Sequence, residues 1–311
     1  MTLQRVLSAT ALLLTLAFTG CGGSGGSGIT NVYLAGYTTS ATTNNGIATY
    51  WKNGTATNLT DGTENAEANA IAVDSSGNVY VAGYTYDTTT NNDIATYWKN
   101  GAATNLTDGT EYANADAIAV DSSGNVYVSG ETASATTSNL IATYWKNGAA
   151  TNLTDGTQYA GAFAIAVDSS GNVYLTGLTI SATTGNPVAT YWKNGTATNL
   201  TDGTEYADAD AIAVDSSGNV YVAGDTTSAS TGKQIATYWK NGTATNLTDG
   251  KETADAYAIA VDSSGNVYVA GQTTSATTGN DIATYWKNGT ATNLSDGTSE
   301  AWLSGIVLPS E

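Results

Sequence analysis

The sequence predicts an all-β protein, a six-bladed β-propeller built from 47-residue, four-stranded repeats. Three observations predict it. The heptapeptide ATYWKNG recurs unchanged six times, always 47 residues apart. Tyr33, Tyr80, Tyr127, Tyr174, Tyr221 and Tyr268 march in the same step, as do the tryptophans from Trp51 to Trp286. Each copy holds four short runs rich in β-branched and aromatic residues, and four antiparallel strands in about 45 residues is the pattern of a propeller blade.

The copy that begins at Asn78 shows the elements in order. Its runs are NVYVAGYT at 78–85, IATYWK at 94–99, ATNLT at 103–107 and AIAVD at 117–121. Each alternates in part between apolar and polar residues, as half-buried strands do. Asn100-Gly101 predicts a two-residue hairpin turn, because both central residues of that turn need positive φ. Ser122-Ser123-Gly124 predicts a second tight turn into the next unit. The six units span 31–77, 78–124, 125–171, 172–218, 219–265 and 266–311 without insertions.

Phase sets the expected closure. The chain enters on NVYLAG at 31 with no AIAVD run before it. It ends on Ser304-Gly305-Ile306-Val307-Leu308, where AIAVD falls in the other units. The C-terminal run is therefore expected to complete the first blade, close the ring and remove both sheet edges. An open solenoid would need polar capping repeats, and the sequence has none.

The first thirty residues read as an address. Residues 1–20 have a short polar start with Arg5, then an apolar run from Val6 to Phe18, the proportions of a signal peptide rather than a membrane span. Phe18-Thr19-Gly20-Cys21 resembles a bacterial lipobox, with Phe18 where that motif usually has Leu. The resemblance implies lipidation of Cys21 and a lipid anchor in a bacterial membrane, facing the periplasm or the exterior. Residues 21–30, with Gly22 to Gly28 all Gly or Ser, then read as a tether that spans on the order of 15 Å.

Composition narrows the chemistry. The chain has no histidine, one arginine (Arg5) and one cysteine (Cys21), so no disulfide framework and no Cys/His zinc site is expected. Its formal charge is −18. Such a chain repels phosphate backbones, which argues against a nucleic-acid partner. Removal of residues 1–20 takes away Arg5 and no acid, leaving eight lysines against 27 acids. A monomer is expected, because a closed ring leaves no edge to pair.

AIAVDSSGNVYVAG resembles the repeat of bacterial β-propellers of the NHL and SBBP type. The whole unit, with its YWKNG and NLTDG words, is similar to repeats of bacterial lipoproteins. The resemblance covers residues 31–311. It implies the propeller and no particular activity, because one fold hosts many functions.

The repeat keeps some positions and varies others. Trp51 and its copies are expected to pack between blades. Asp74 and its four copies are expected to cap their own turns. The DSSG and KNG turns must emerge on one face, which then carries six lysines near five aspartates. DSSGN resembles the start of an EF-hand loop, but Ser and Gly stand where ligands belong and the distal Glu is missing, so it reads as a turn.

Variation concentrates on the opposite face. Two residues before the conserved Ile71 column the chain reads Asn69, Asp116, Phe163, Asp210, Tyr257 and Ser304. Two further back it reads Glu67, Asn114, Gly161, Asp208, Asp255 and Trp302. After the strand glycine it reads Tyr37, Tyr84, Glu131, Leu178, Asp225 and Gln272. Aromatics among carboxylates and amides suit a polar ligand such as a sugar, stacked on rings and hydrogen-bonded at its hydroxyls. A ligand- or protein-binding face is therefore expected at Tyr37, Asn69, Tyr84, Asp116, Glu131, Phe163, Asp210, Asp225, Tyr257 and Trp302. Drift between copied repeats would give the same pattern.

Two other classes stay open. An enzyme would have only carboxylates to work with, as in a two-carboxylate glycosidase, from Asp116, Glu131, Asp208, Asp210, Asp225 and Asp255. A purely structural envelope protein would need no site at all. No cofactor is expected, and the only metal that the acidic face suits is calcium, which takes oxygen ligands.

Overall fold

The computed structural model describes residues 31–308. The expected signal peptide at 1–20, the expected lipidation site Cys21 and the expected tether through residue 30 lie outside the described residues. The described chain is all strand and turn, folded into six consecutive antiparallel sheets. The first has three strands, Tyr33–Thr39, Gly46–Lys52 and Thr55–Asn58. The other five have four, paired in chain order from inner to outer. In the second blade these are Ala66–Val73, Val79–Asp87, Asn92–Lys99 and Ala102–Asn105.

Both turns form as the sequence predicts. Asn100 and Gly101 take φ of 50° and 86°, and the other five Asn-Gly pairs do likewise. Gly needs no side-chain accommodation there, and Asn tolerates the left-handed region better than other residues. Asp74 caps its own turn. Its Oδ1 accepts from the Ser76 and Asn78 amides, and its Oδ2 from the Asn78 side chain and the Tyr80 hydroxyl. These bonds use the carboxylate oxygens that a calcium loop would need, so DSSGN is a turn.

The core lies between blades. Trp98, Trp145, Trp192, Trp239 and Trp286 are at most 1% exposed. Each sits in a cluster shared by two consecutive sheets; Trp98 packs with Tyr33, Ala35 and Ala48 of the first sheet and Ile71 of its own. Small alanines on the inner strands let neighbouring blades approach closely. One turn of sequence thus builds one interface, five times over.

The sixth interface differs from expectation. Residues 301–308 form no strand and do not pair with Tyr33–Thr39, so the first sheet stays three-stranded. The segment instead lies on the sixth sheet, with the Ala301 amide donating to Asp281 O and the Leu303 amide to Gly271 O. Its sequence explains the difference. Gly305 replaces the usual alanine and weakens a strand, and Pro309 stands where the other units have the turn-capping aspartate. The apolar face of the sixth sheet draws the segment in, leaving a groove of about 370 Å³ between Tyr268, Tyr285, Leu294 and residues 303–308. On the first sheet, Val32 is 36% exposed where its copy Val79 is 7%. Trp51 is likewise partly exposed.

Candidate functional site

The three variable columns meet at one end of the blades, and the strand pairing shows how. The column after the strand glycine lies directly across from the column that begins with Glu67. The cross-strand pairs are Glu67 with Tyr84, Asn114 with Glu131, Gly161 with Leu178, Asp208 with Asp225, and Asp255 with Gln272. The third column sits in a β-bulge. Asn69, Asp116, Phe163, Asp210 and Tyr257 each fall where the register shifts between two alanines. A bulged residue has no partner across the ladder, and its side chain is re-aimed out of the regular alternation.

The glycine of the second strand makes the bulge possible. A Cβ at Gly130 would lie 2.0 Å from Asn114 O, and one at Gly177 would lie 1.9 Å from Gly161 O. The carbonyl that swings inward at the bulge fills the space a side chain would need. We therefore expect Gly130→Ala to cost about 3 kcal/mol or more, in the range of severe backbone strain and overpacking. Urea unfolding checks it; a loss under about 1 kcal/mol would show that the bulge relaxes without cost.

Three acidic groups result. In the fifth blade, carboxylate oxygens of Asp208, Asp210 and Asp225 lie within 4.8 Å of one another. Asp208 and Asp225 are 4% and 3% exposed. The Tyr206 hydroxyl donates to Asp208 at 2.7 Å, and the Gln234 side-chain amide to Asp225 at 3.1 Å. Burial, then the charge of Asp208, pushes Asp225 up to about 10, so it holds its proton at neutral pH. Asp255 continues the row into the sixth blade. Burial raises it too, although Gln272 and Tyr257 donate to it.

In the third blade, Asp116 is pushed up to about 6 by burial, offset in part by its hydrogen bond with Glu131, and Asn114 donates to it at 2.6 Å. In the second blade, Tyr84 donates to Glu67 at 3.2 Å, burial raises Glu67, and burial with the Glu67 charge pushes Asp93 up to about 6.

The fourth blade interrupts the acids. Its columns read Gly161, Phe163 and Leu178, and its third strand begins at Pro187. The Phe163 ring folds over Gly161, where an added Cβ would lie 2.7 Å from the ring and 3.5 Å from a Glu131 carboxylate oxygen. A partly exposed aromatic ring therefore lies beside the acids of the third blade.

Most of the residues singled out from sequence lie in this row, with two exceptions. Tyr37 and Trp302 are 41% and 53% exposed and stand at the unjoined first and last sheets. Asn69 has a structural task, donating to Asn114 at 3.0 Å and to Ala115 O at 3.0 Å across two blades. Sequence reasoning missed Asp93, Gln234 and Asp281, a fourth varying column at the start of the third strand. It also missed Tyr206. The alanines that flank each bulged residue (ANA, ADA, AFA, ADA, AYA) were the signal for the bulge.

The oxygens of Asp208, Asp210 and Asp225 are the ones that would hold calcium among the described residues. Three carboxylates brought this close need either a shared proton or a cation, and calcium takes six to eight oxygens.

Comparison with known proteins agrees with the fold. Residues 62–88, 162–182, 206–230 and 248–277 match the family model described as SBBP, beta-propeller repeat. Each matched stretch runs from the end of one 47-residue unit into the start of the next. No curated protein matches the chain. Among solved structures, the chain is similar to a polysaccharide lyase, an ulvan lyase bound to -[GlcA(1-4)Rha3S]-, at 10% identity and a TM-score of 0.51, over 91% of this chain and 84% of the other. It is similar over 42% of its length to 95% of a fucose lectin from Kordia zhangzhouensis, at 13% identity and a TM-score of 0.33. These likenesses concern the fold alone.

Proposed function

We propose that the protein is a binding module that takes a neutral saccharide on its variable face, held at a bacterial membrane through Cys21. The observation that carries the binding reading is the Phe163 ring, folded over Gly161 with the Glu131 carboxylate alongside. A pyranose presents an apolar C–H face to stack on such a ring and hydroxyls to donate to flanking carboxylates. Charge selects the sugar. Residues 31–308 have no arginine and no histidine, and 21 carboxylates lie at this end of the blades against two lysines. A polyanionic chain of uronates or sulfated sugars is repelled there. The anchor reading rests on the lipobox resemblance of residues 18–21.

Thermal melts against calcium and a panel of neutral, amino and acidic oligosaccharides test the binding reading, because a ligand of the native state raises the midpoint with its concentration. Phe163→Ala should weaken a saccharide about three- to tenfold, the worth of one stacking contact. A neutral saccharide that binds Phe163→Ala as well as the parent would move the site off this ring. Retention of a Cys21→Ser variant in membranes would count against the anchor.

The Asp208–Asp210–Asp225 group favours a second reading, carboxylate-based action on a glycoside. One member held protonated beside others has the division of labour that two-carboxylate hydrolysis uses. Release of reducing ends from a bound saccharide, lost in Asp210→Asn, would distinguish it from binding alone.

A further inference from the structure

The face opposite the site has its own character. Lys52, Lys99, Lys146, Lys193, Lys240 and Lys287 all stand there, exposed, each with its ammonium 5.0–5.3 Å from the centre of a tyrosine ring. Where the unit has the turn aspartate, the hydroxyl of that tyrosine donates to it, as Tyr127 does to Asp121. The five aspartates accept from amides and hydroxyls of their own turns, as Asp121 does, and the charge of each, after the tyrosine hydroxyl, helps raise the pKa of its lysine. Six ammonium groups against five carboxylates leave this face with one net positive charge, against the strongly negative far end. Residues 31–308 thus divide into an end with six lysines and five aspartates and an end with two lysines and 21 carboxylates.

The chain also enters on the lysine face. The Val32 amide donates to Asn53 Oδ1, and Asn53 Nδ2 donates to Asn31 Oδ1, both at 2.8 Å, in the turn that follows Lys52. Residue 31 thus lies at the lysine face.

We propose that the lysine face is the surface the protein lays against an anionic membrane, so that the variable face points away from it. The proposal draws on the membrane attachment inferred above, and the test supplies that attachment chemically so that the two can fail separately. Three physical points support it. A short tether holds the face near the bilayer at an effective concentration on the order of millimolar, so a weak attraction is enough to orient the body. Basic side chains near an anionic leaflet are attracted within about a Debye length. The blades are eight residues deep, about 26 Å, whereas charges are screened over about 8 Å at physiological ionic strength, so the acidic end does not repel the membrane from there.

The lysines report on both ends of the molecule. The full chain is coupled through its lone cysteine, Cys21, to a maleimide lipid in vesicles of phosphatidylcholine, with or without phosphatidylglycerol. Acetylation of each lysine is then followed by mass spectrometry. On anionic vesicles the six face lysines should react about threefold or more slowly than on neutral ones, while Lys233 and Lys251, at the acidic end, should not change. High salt should erase the difference. Equal rates at all eight lysines on both vesicles would overturn the proposal and point to a soluble polyanion as the alternative occupant. Slowing at Lys233 and Lys251 instead would invert the orientation and overturn it equally.

Discussion

Trp145→Ala is expected to destabilise the protein by about 3–5 kcal/mol, and Trp51→Ala by much less, although both residues sit in the same heptapeptide. The difference comes from what covers them. Trp145 is fully buried between the second and third blades, packed on Tyr80, Ala82 and Ala95. Truncating a buried tryptophan loses its burial and leaves a cavity that stiff sheets cannot collapse. Trp51 belongs to the first sheet, falls in none of the five inter-blade clusters and is already part-exposed. Urea midpoints of the two variants against the parent make the comparison. Equal losses would mean that the first and sixth sheets close on each other in solution, with Val32, Leu34 and Trp51 filling the groove beside Tyr268 and Leu294. A loss at Trp145 of under about 1 kcal/mol would sink the packing account of the kept tryptophans altogether.

The second large effect is on pH. Asp225 is raised to about 10, mainly by burial, and Asp116 and Asp93 to about 6. A carboxyl raised in the folded state binds its proton more tightly there than in the unfolded chain. Its contribution is fully present below the ordinary carboxylate range, near 4, and is lost as pH rises through the folded value. Stability should therefore fall progressively from about pH 4 to about pH 10. The turn aspartates work the other way. Asn78 and its amide hold Asp74 below the ordinary range, so its contribution is present above that range and lost in stronger acid. The optimum should lie between roughly pH 4 and 6, below that of most domains. In the presence of a chelator, Asp225→Asn should raise the urea midpoint at pH 8.5 and change it little at pH 5. A parent protein more stable at pH 8.5 than at pH 5.5 would show that the buried carboxyls are not protonated as described.

The fold was legible because the repeat states each requirement five or six times. Asn-Gly, DSSG and the kept tryptophan each demand a particular backbone or neighbour, and each demand is met except at Trp51, which stays part-exposed. Closure was less legible. Its strand occurs once, as SGIVL, and a run with three apolar side chains can be drawn onto a face as readily as into a ladder. The site was legible as columns that vary. Its depth was not, because nothing in the letters of Asp208 and Asp225 says that they pair across two strands and exclude water. That follows from the register, which the bulge shifts by one residue, and a sequence pattern of period two does not announce such a shift.

The bulge has a consequence for how such a surface can change. Asn69, Asp116, Phe163, Asp210 and Tyr257 occupy one backbone geometry in five blades, with an amide, two acids and two aromatic rings. The scaffold beneath them is specified by other letters: the flanking alanines and the glycine across the strand. Identity at the display position is thereby uncoupled from foldability. A lineage can rewrite its specificity one blade at a time, much as an immune receptor edits a loop, and each trial retains a folded body on which selection can act.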